Sequence, residues 1–335
     1  MNIARTLAAL ALLSLAAPRA RADDPVELKI ATLAPEGSTW MKVFGEADTE
    51  LRKKTGGAVR FRYYPGGIVG DEPTVIEKMG QGRIDGSAFS GLGIGQILPE
   101  IRILELPLLF ASYEEYDHVV RGLQPEIESR LAAKGWKLIG LAEGGFANFF
   151  STRPVRTLDD LAGTSIWRRD DDPLVERMFQ GFQLTTRPSP LSSVVGELDA
   201  RHIETVYSSP LTLLAFQWFP HLDYRVDLDL FNIQAAYVLR AESFERIPAR
   251  HRNDLETIAA KHVGRLVERA RADNREALGI LEKRGIETVA MDPASRTRLQ
   301  ERADALAEDL VGEIYDRELY DQVLALRAEY RKGRG

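Results

Sequence analysis

Two stretches of this chain, 119 positions apart, carry the same helix–turn–strand pattern. The first, residues 75–91, reads VIEKMGQGRIDGSAFSG; the second, residues 194–210, reads VVGELDARHIETVYSSP. In register, Val75/Val194, Ile84/Ile203 and Ser90/Ser209 are identical, and Ile76/Val195, Met79/Leu198 and Asp85/Glu204 are conservative. Each copy sets apolar residues at helical spacing, then a small break, then a short apolar strand ending in a small polar residue. Two such units predict two similar α/β lobes facing each other across a cleft. The bland alternative is that any two helix–strand units resemble one another this far.

The flanking segments extend the pattern. Glu27–Leu33 alternates as an opening strand, and Pro35-Glu36-Gly37-Ser38 makes a turn with Ser38 placed to cap a helix. Met41, Phe44, Ala47 and Leu51 keep helical spacing until Gly56-Gly57, and Val59–Tyr64 reads as a second strand. Asp71-Glu72-Pro73 starts the next helix, with acids in its first turn and proline near its first position. This β-α-β-α-β order predicts a mostly parallel sheet with right-handed crossovers. Leu104–Phe110 is apolar but holds Pro107, which fits a crossing segment at a sheet edge. Tyr113–Lys134 is expected to be helical, and Trp136–Ala142 and Phe146–Ser151 are expected as two strands. The plan then repeats as a helix at Leu158–Leu161, a strand at Thr164–Arg168 and a helix at Pro173–Phe179. After Glu242 long amphipathic helices follow, Arg250–Arg284 first and two more over Pro293–Arg331, which suits packing across both lobes. The expected division is lobe 1 over 23–145 with a crossing return near 225–250, lobe 2 over 146–225, and a helical segment over 242–335.

The first residues address the chain. Arg5 precedes an apolar run from Leu7 to Ala17, and Ala20-Arg21-Ala22 offers small residues for cleavage after Ala22. Eleven apolar residues fall short of the ~20 needed to span a bilayer, so an export signal to the periplasm is expected. Removing its three arginines leaves 41 basic against 50 acidic residues, a net charge of −9 over 313 residues. That balance argues against a nucleic-acid partner. The chain has no cysteine, so neither disulfides nor thiolate metal sites hold it together.

Catalytic signatures are missing. His118, His202, His221, His251 and His262 form no metal-binding spacing, and there is no nucleophile elbow or phosphate-loop lysine. Gly91-Leu92-Gly93-Ile94-Gly95 has the wrong spacing for a dinucleotide fingerprint and reads as a loop that lets backbone approach a ligand or the opposite lobe. Asp170-Asp171-Asp172, directly before Pro173, reads as a helix cap rather than a cation site. No cofactor is expected, and no enzyme.

The order of these segments resembles the periplasmic solute-binding proteins of tripartite ATP-independent (TRAP) transporters. The resemblance is carried by Leu28–Ser38, Tyr64-Pro65-Gly66-Gly67, Gly82-Arg83-Ile84-Asp85-Gly86, Leu104–Phe110 and Arg153-Pro154-Val155 with Leu158-Asp159-Asp160-Leu161-Ala162-Gly163. It implies two α/β lobes in a periplasmic binding protein-like fold, mixed sheets joined by crossing strands, and long C-terminal helices beneath both lobes. It also implies a small-molecule ligand delivered to membrane permease subunits. Many such proteins grip a ligand carboxylate with an arginine in an Ile-Arg pair. Here the matching pair is Ile166-Trp167, and in a second arginine-bearing stretch, Gly144-Gly145-Phe146, Phe146 takes the arginine's place. Exchanging cation for aromatic predicts a ligand with apolar or aromatic surface, or a cation, rather than a small dicarboxylate. A subset with tryptophan at this strand works with a helical-repeat partner protein. Arg169, two residues on, would restore a cation if the strand continues.

Cleft positions are expected at strand tips and at the turns leading into the lobes: Glu36, Trp40, Phe89 and Ser90 from lobe 1, and Phe146, Asn148, Trp167, Arg169, Tyr207 and Ser208 from lobe 2. Core packing is the alternative for Phe89 and Phe146, and a buried helix face for Trp40. The leading expectation is a solute receptor; an exported enzyme or chemosensory binding protein on the same frame is the alternative.

Overall fold

The computed structural model describes residues 25–333, so the export signal and its cleavage after Ala22 lie outside the described residues. The first lobe opens with β1 (Val26–Thr32), α1 (Thr39–Lys54), β2 (Val59–Tyr64), α2 (Glu72–Gly80), β3 (Gly86–Ser90) and α3 (Gly91–Ile97). A 3-10 turn, Pro99–Glu105, leads to α4 (Tyr113–Ala133) and the long β4 (Trp136–Ser151). The second lobe follows as α5 (Leu158–Ala162), β5 (Ile166–Arg169), α6 (Pro173–Gly181), β6 (Thr186–Ser189), α7 (Val194–Asp199), β7 (Thr205–Ser208), α8 (Pro210–Ala215) and β8 (Tyr224–Val226). The chain returns through β9 (Phe231–Arg240) and ends with α9 (Ala241–Glu245), α10 (Ala249–Lys283), β10 (Glu287–Val289), α11 (Pro293–Asp309) and α12 (Arg317–Lys332).

Lobe 1 has strand order β2-β1-β3-β9-β4 and lobe 2 has β4-β7-β5-β6, so β4 belongs to both. Its residues up to Ala147 pair antiparallel with β9, and Asn148–Ser151 pair with β7. The β1–β2, β1–β3, β5–β6 and β5–β7 pairs are parallel, as the alternating element order requires. The two strands expected over Trp136–Ser151 are one. Bulges between Leu138 and Gly140 and between Glu143 and Gly145 interrupt its alternation, and Gly145 sits at φ 89°, a left-handed conformation suited to glycine. Sequence alternation breaks at such a bulge, and the strand reads as two.

The repeated unit persists in its hydrogen bonds. Gly82 (φ 69°) and Arg201 (φ 55°), in register, both turn left-handed after their helices. Arg83 N then bonds Lys78 O, and His202 N bonds Glu197 O, again in register. Asp85 accepts from Lys29 N at 2.8 Å, and Glu204 accepts from Ser165 N at 3.1 Å, each tying its strand to the neighbour. Ser90 caps α3 by accepting from Gly93 N, and Ser209 caps α8 by accepting from Thr212 N. Shared chemistry at matched positions goes beyond what any two helix–strand units have in common.

The glycine run does not form a loop. It is α3, and each glycine leaves room for a buried charged side chain. A Cβ at Gly91 would lie 2.3 Å from the Glu105 carboxylate, one at Gly93 2.5 Å from Glu72, and one at Gly95 2.9 Å from Arg102 Cδ. Glycine costs a helix about 1 kcal/mol per residue relative to alanine, so local propensity pointed away from helix and packing overrode it. The following apolar segment makes no strand: Leu108 (φ 53°) donates its N–H to Leu230 O beside β9.

Helix α10 spans 35 residues, about 52 Å at ~1.5 Å per residue. Leu255, Ile258, Ala259, His262, Leu266, Ala270, Asn274, Ala277 and Leu281 form its buried stripe. It packs on α1, β4 and α8, and so touches both lobes.

Candidate functional site

The tips of β5 and β7 hold an aromatic block. Trp167 stacks on Tyr207 with ring centroids 5.2 Å apart and meets Trp218 edge-on at 5.4 Å. Phe179 and Phe231 close on Tyr207 at 5.7 and 6.0 Å. Trp167 is 2% exposed, and its indole N–H donates to Ser189 O at 3.2 Å. The ring is thus held by stacking on one face and by a satisfied donor at its edge.

Charged groups from both lobes converge beside this block. From lobe 1, Arg102 on the 3-10 turn forms an ion pair with Glu105, three residues on. The same guanidinium crosses to lobe 2, where Nη2 meets Asp172 Oδ1 and Oδ2 at 3.1 and 3.0 Å. All three side chains are buried. Burial works against the Arg102 charge, but the Glu105 and Asp172 carboxylates outweigh it and hold its pKa above the ordinary value. Burial raises Glu105, opposed by Arg102. Glu105 also accepts from Gln234 N in β9 at 2.9 Å, and Asp172 caps α6 through Leu174 N and Val175 N.

A second group lies nearby. Arg169 is bidentate to Asp171, at 2.8 and 2.7 Å, and that hydrogen-bonded pairing raises Arg169 and lowers Asp171. Glu72 of lobe 1 lies within electrostatic reach of Arg169 and Asp171. It accepts from Ser90 N at 2.6 Å and from Ser90 Oγ at 2.7 Å. The buried Tyr207 hydroxyl sits beside the Arg169 backbone N–H without closing a hydrogen bond, and Ser189 Oγ is another buried polar atom without a partner. Such atoms await water or a bound molecule.

Of the expected site residues, Trp167, Arg169, Tyr207 and Ser90 come together here. Ser208 is adjacent, buried and bonded to Ser209 O at 3.1 Å. Asn148, paired in register with Ser208, is engaged through Nδ2 with Leu228 O and Asp229 and through Oδ1 with Arg225. Phe146 packs on the Tyr113 ring at 4.8 Å, and Phe89 lies in the core at 1% exposure. Trp40 is half-buried edge-on to Phe44, and Glu36 is exposed on the turn before it. Arg102 and Glu105 were not expected at the site, and Glu72 and Asp172 were expected only as acids at helix starts. One signal existed: Arg102 and Glu105, opposite charges three apart, interrupt the apolar run Ile101–Leu106.

Burial raises the pKa of Glu72, against the opposing hydrogen bonds from Ser90. A carboxyl raised in the folded state binds protons more tightly than in the unfolded chain. Its contribution to stability is therefore full below its unfolded pKa and is lost as pH rises through the folded value. Glu72→Gln should gain stability relative to the native protein in urea titrations as pH rises above the ordinary glutamate range. Parallel pH curves for the two proteins would overturn this.

Residues 30–313 match the family described as bacterial extracellular solute-binding protein, family 7. A solute-binding protein of Verminephrobacter eiseniae is 25% identical over 252 residues, covering 74% of each chain. A TRAP periplasmic solute-binding protein from Ochrobactrum anthropi superposes with TM-score 0.85 at 19% identity, covering 92% of this chain and 97% of its own. Another, from Desulfovibrio salexigens with bound orotic acid, superposes with TM-score 0.81 at 16% identity, covering 91% and 99%. A third, from Xanthobacter autotrophicus with bound β-D-galacturonate, superposes with TM-score 0.79 at 20% identity, covering 90% and 99%.

Proposed function

Because the chain belongs to family 7 of the bacterial extracellular solute-binding proteins, receptors rather than enzymes, we propose that it captures a solute with apolar or aromatic surface and delivers it to a TRAP-type secondary transporter. The observation that carries the ligand class is Trp167, stacked on Tyr207 at the strand tip where the TRAP resemblance expects a carboxylate-binding arginine. An aromatic block offers area at about 25 cal/mol per Å² buried and no countercharge. The bodies that close on the solute are residues 23–145 with the 225–250 return, and residues 146–225, with the helices from 242 onward beneath. Export follows cleavage after Ala22, and a helical-repeat partner joins the permease subunits.

A second reading is an organic acid held by Arg169. It is favoured by the 55% exposure of its partner Asp171, which leaves that carboxylate exchangeable. The structural neighbours with orotic acid and galacturonate bound lean the same way. Calorimetry against a metabolite library separates the two. Tight binding of aromatic or apolar solutes that survives Arg169→Ala supports the first. Binding of small organic acids alone, abolished by Arg169→Ala, replaces it with the second.

A further inference from the structure

We infer that the carboxylate gripped across the cleft belongs to the chain itself: Asp172 of lobe 2 is an internal ligand for Arg102 of lobe 1, and the solute needs no carboxylate of its own. The inference rests on the receptor reading and decides between its two ligand classes.

A guanidinium binds a carboxylate best through two parallel donors. Two carboxylates of the chain already flank Arg102. Glu105 takes Nε, and Asp172 takes Nη2 through both oxygens. The geometry is built: the Arg102 stem lies against Gly95, where a Cβ would fall 2.9 Å from Cδ, and Asp172 is fixed by capping α6. The other arginines at the tip of β5 are likewise occupied, Arg169 by Asp171 and Arg168 by Glu176 at 2.8 Å. Glu72, Glu105, Asp171 and Asp172 outnumber Arg102 and Arg169 around the cleft, so an added carboxylate would meet excess negative charge. Apart from Arg102 Nε and Glu105 Oε2, which face each other in their ion pair, the buried polar atoms there without a hydrogen-bond partner are neutral, the Tyr207 hydroxyl and Ser189 Oγ. They suit a solute that offers hydrogen bonds and a flat apolar face.

The arrangement predicts chemical rescue. Asp172→Ser keeps a residue able to cap α6 but empties the space beside Arg102. In the full chain, about 100 mM formate should raise the melting temperature of Asp172→Ser by about 2 °C or more over the same concentration of chloride. The native protein, with the position filled, should show no such difference, and neither should Arg102→Leu/Asp172→Ser, which lacks the cation. Equal responses in all three proteins, or none in Asp172→Ser, overturn the inference. Should Asp172→Ser not fold, Asp172→Asn serves through small-angle scattering. Loss of the ion pair should enlarge its ligand-free radius of gyration, and an unchanged radius overturns the inference. Failure of the receptor reading looks different: rescue would succeed while no solute binds the native protein. Tight binding of acids by the native protein would leave a receptor and remove the internal ligand.

Discussion

Arg102→Ala is expected to destabilise the protein by about 3–5 kcal/mol, because it strands two buried carboxylates without their shared cation. Glu105 and Asp172 are 6% exposed each, and neither can turn to water without moving β9 contacts or the cap of α6. Acidification should recover part of the loss, since burial raises Glu105 and protonating it removes uncompensated charge. The difference from native should therefore narrow as pH falls below neutrality in urea titrations. A cost below about 1 kcal/mol, typical of surface pairs, would show that the trio is hydrated in solution.

Trp167→Ala is expected to cost about 3–5 kcal/mol, the range for emptying a large aromatic site in a core. The ring supports Tyr207 on its face and Trp218 on its edge, so its removal takes a packing partner from each of two aromatic side chains. Trp167→Phe should cost less, retaining part of the stack but leaving Ser189 O without its donor. Guanidinium unfolding reads both. If Trp167→Ala were nearly neutral while solute binding vanished, Trp167 would be a plate for the ligand rather than a support for Tyr207.

Much of the frame was legible because it is local. Ser38 and Asp71 cap helices through their own side chains, and the repeated unit announced matched helix ends. The glycine run misled because its cause is remote. Nothing near Gly91 in the chain reveals that Glu105 must fit against it. The aromatic exchange at Trp167 was visible by resemblance. Its partners Tyr207 and Trp218 lie 40 and 51 positions on, and the β5–β7 pairing that brings Tyr207 alongside is not written in local sequence. The Arg102–Asp172 pair spans 70 positions and two lobes, and no periodicity encodes such a meeting.

The sharing of β4 and β9 has a consequence for how the chain acquires its structure. β3 finds its sheet partner β9 only after about 145 intervening residues, since even its last residue, Ser90, pairs with Ala235. A chain emerging from its N-terminus therefore cannot finish the first sheet until nearly all of the second lobe has been made. Pairings of such separation fold slowly, because loop-closure entropy is lost before the contacts form. Neither half is an independent folding unit, and a cut at the crossing would leave two open sheet edges rather than two small proteins. Unfolding should be one cooperative transition, because the shared strands oblige the two lobes to melt together.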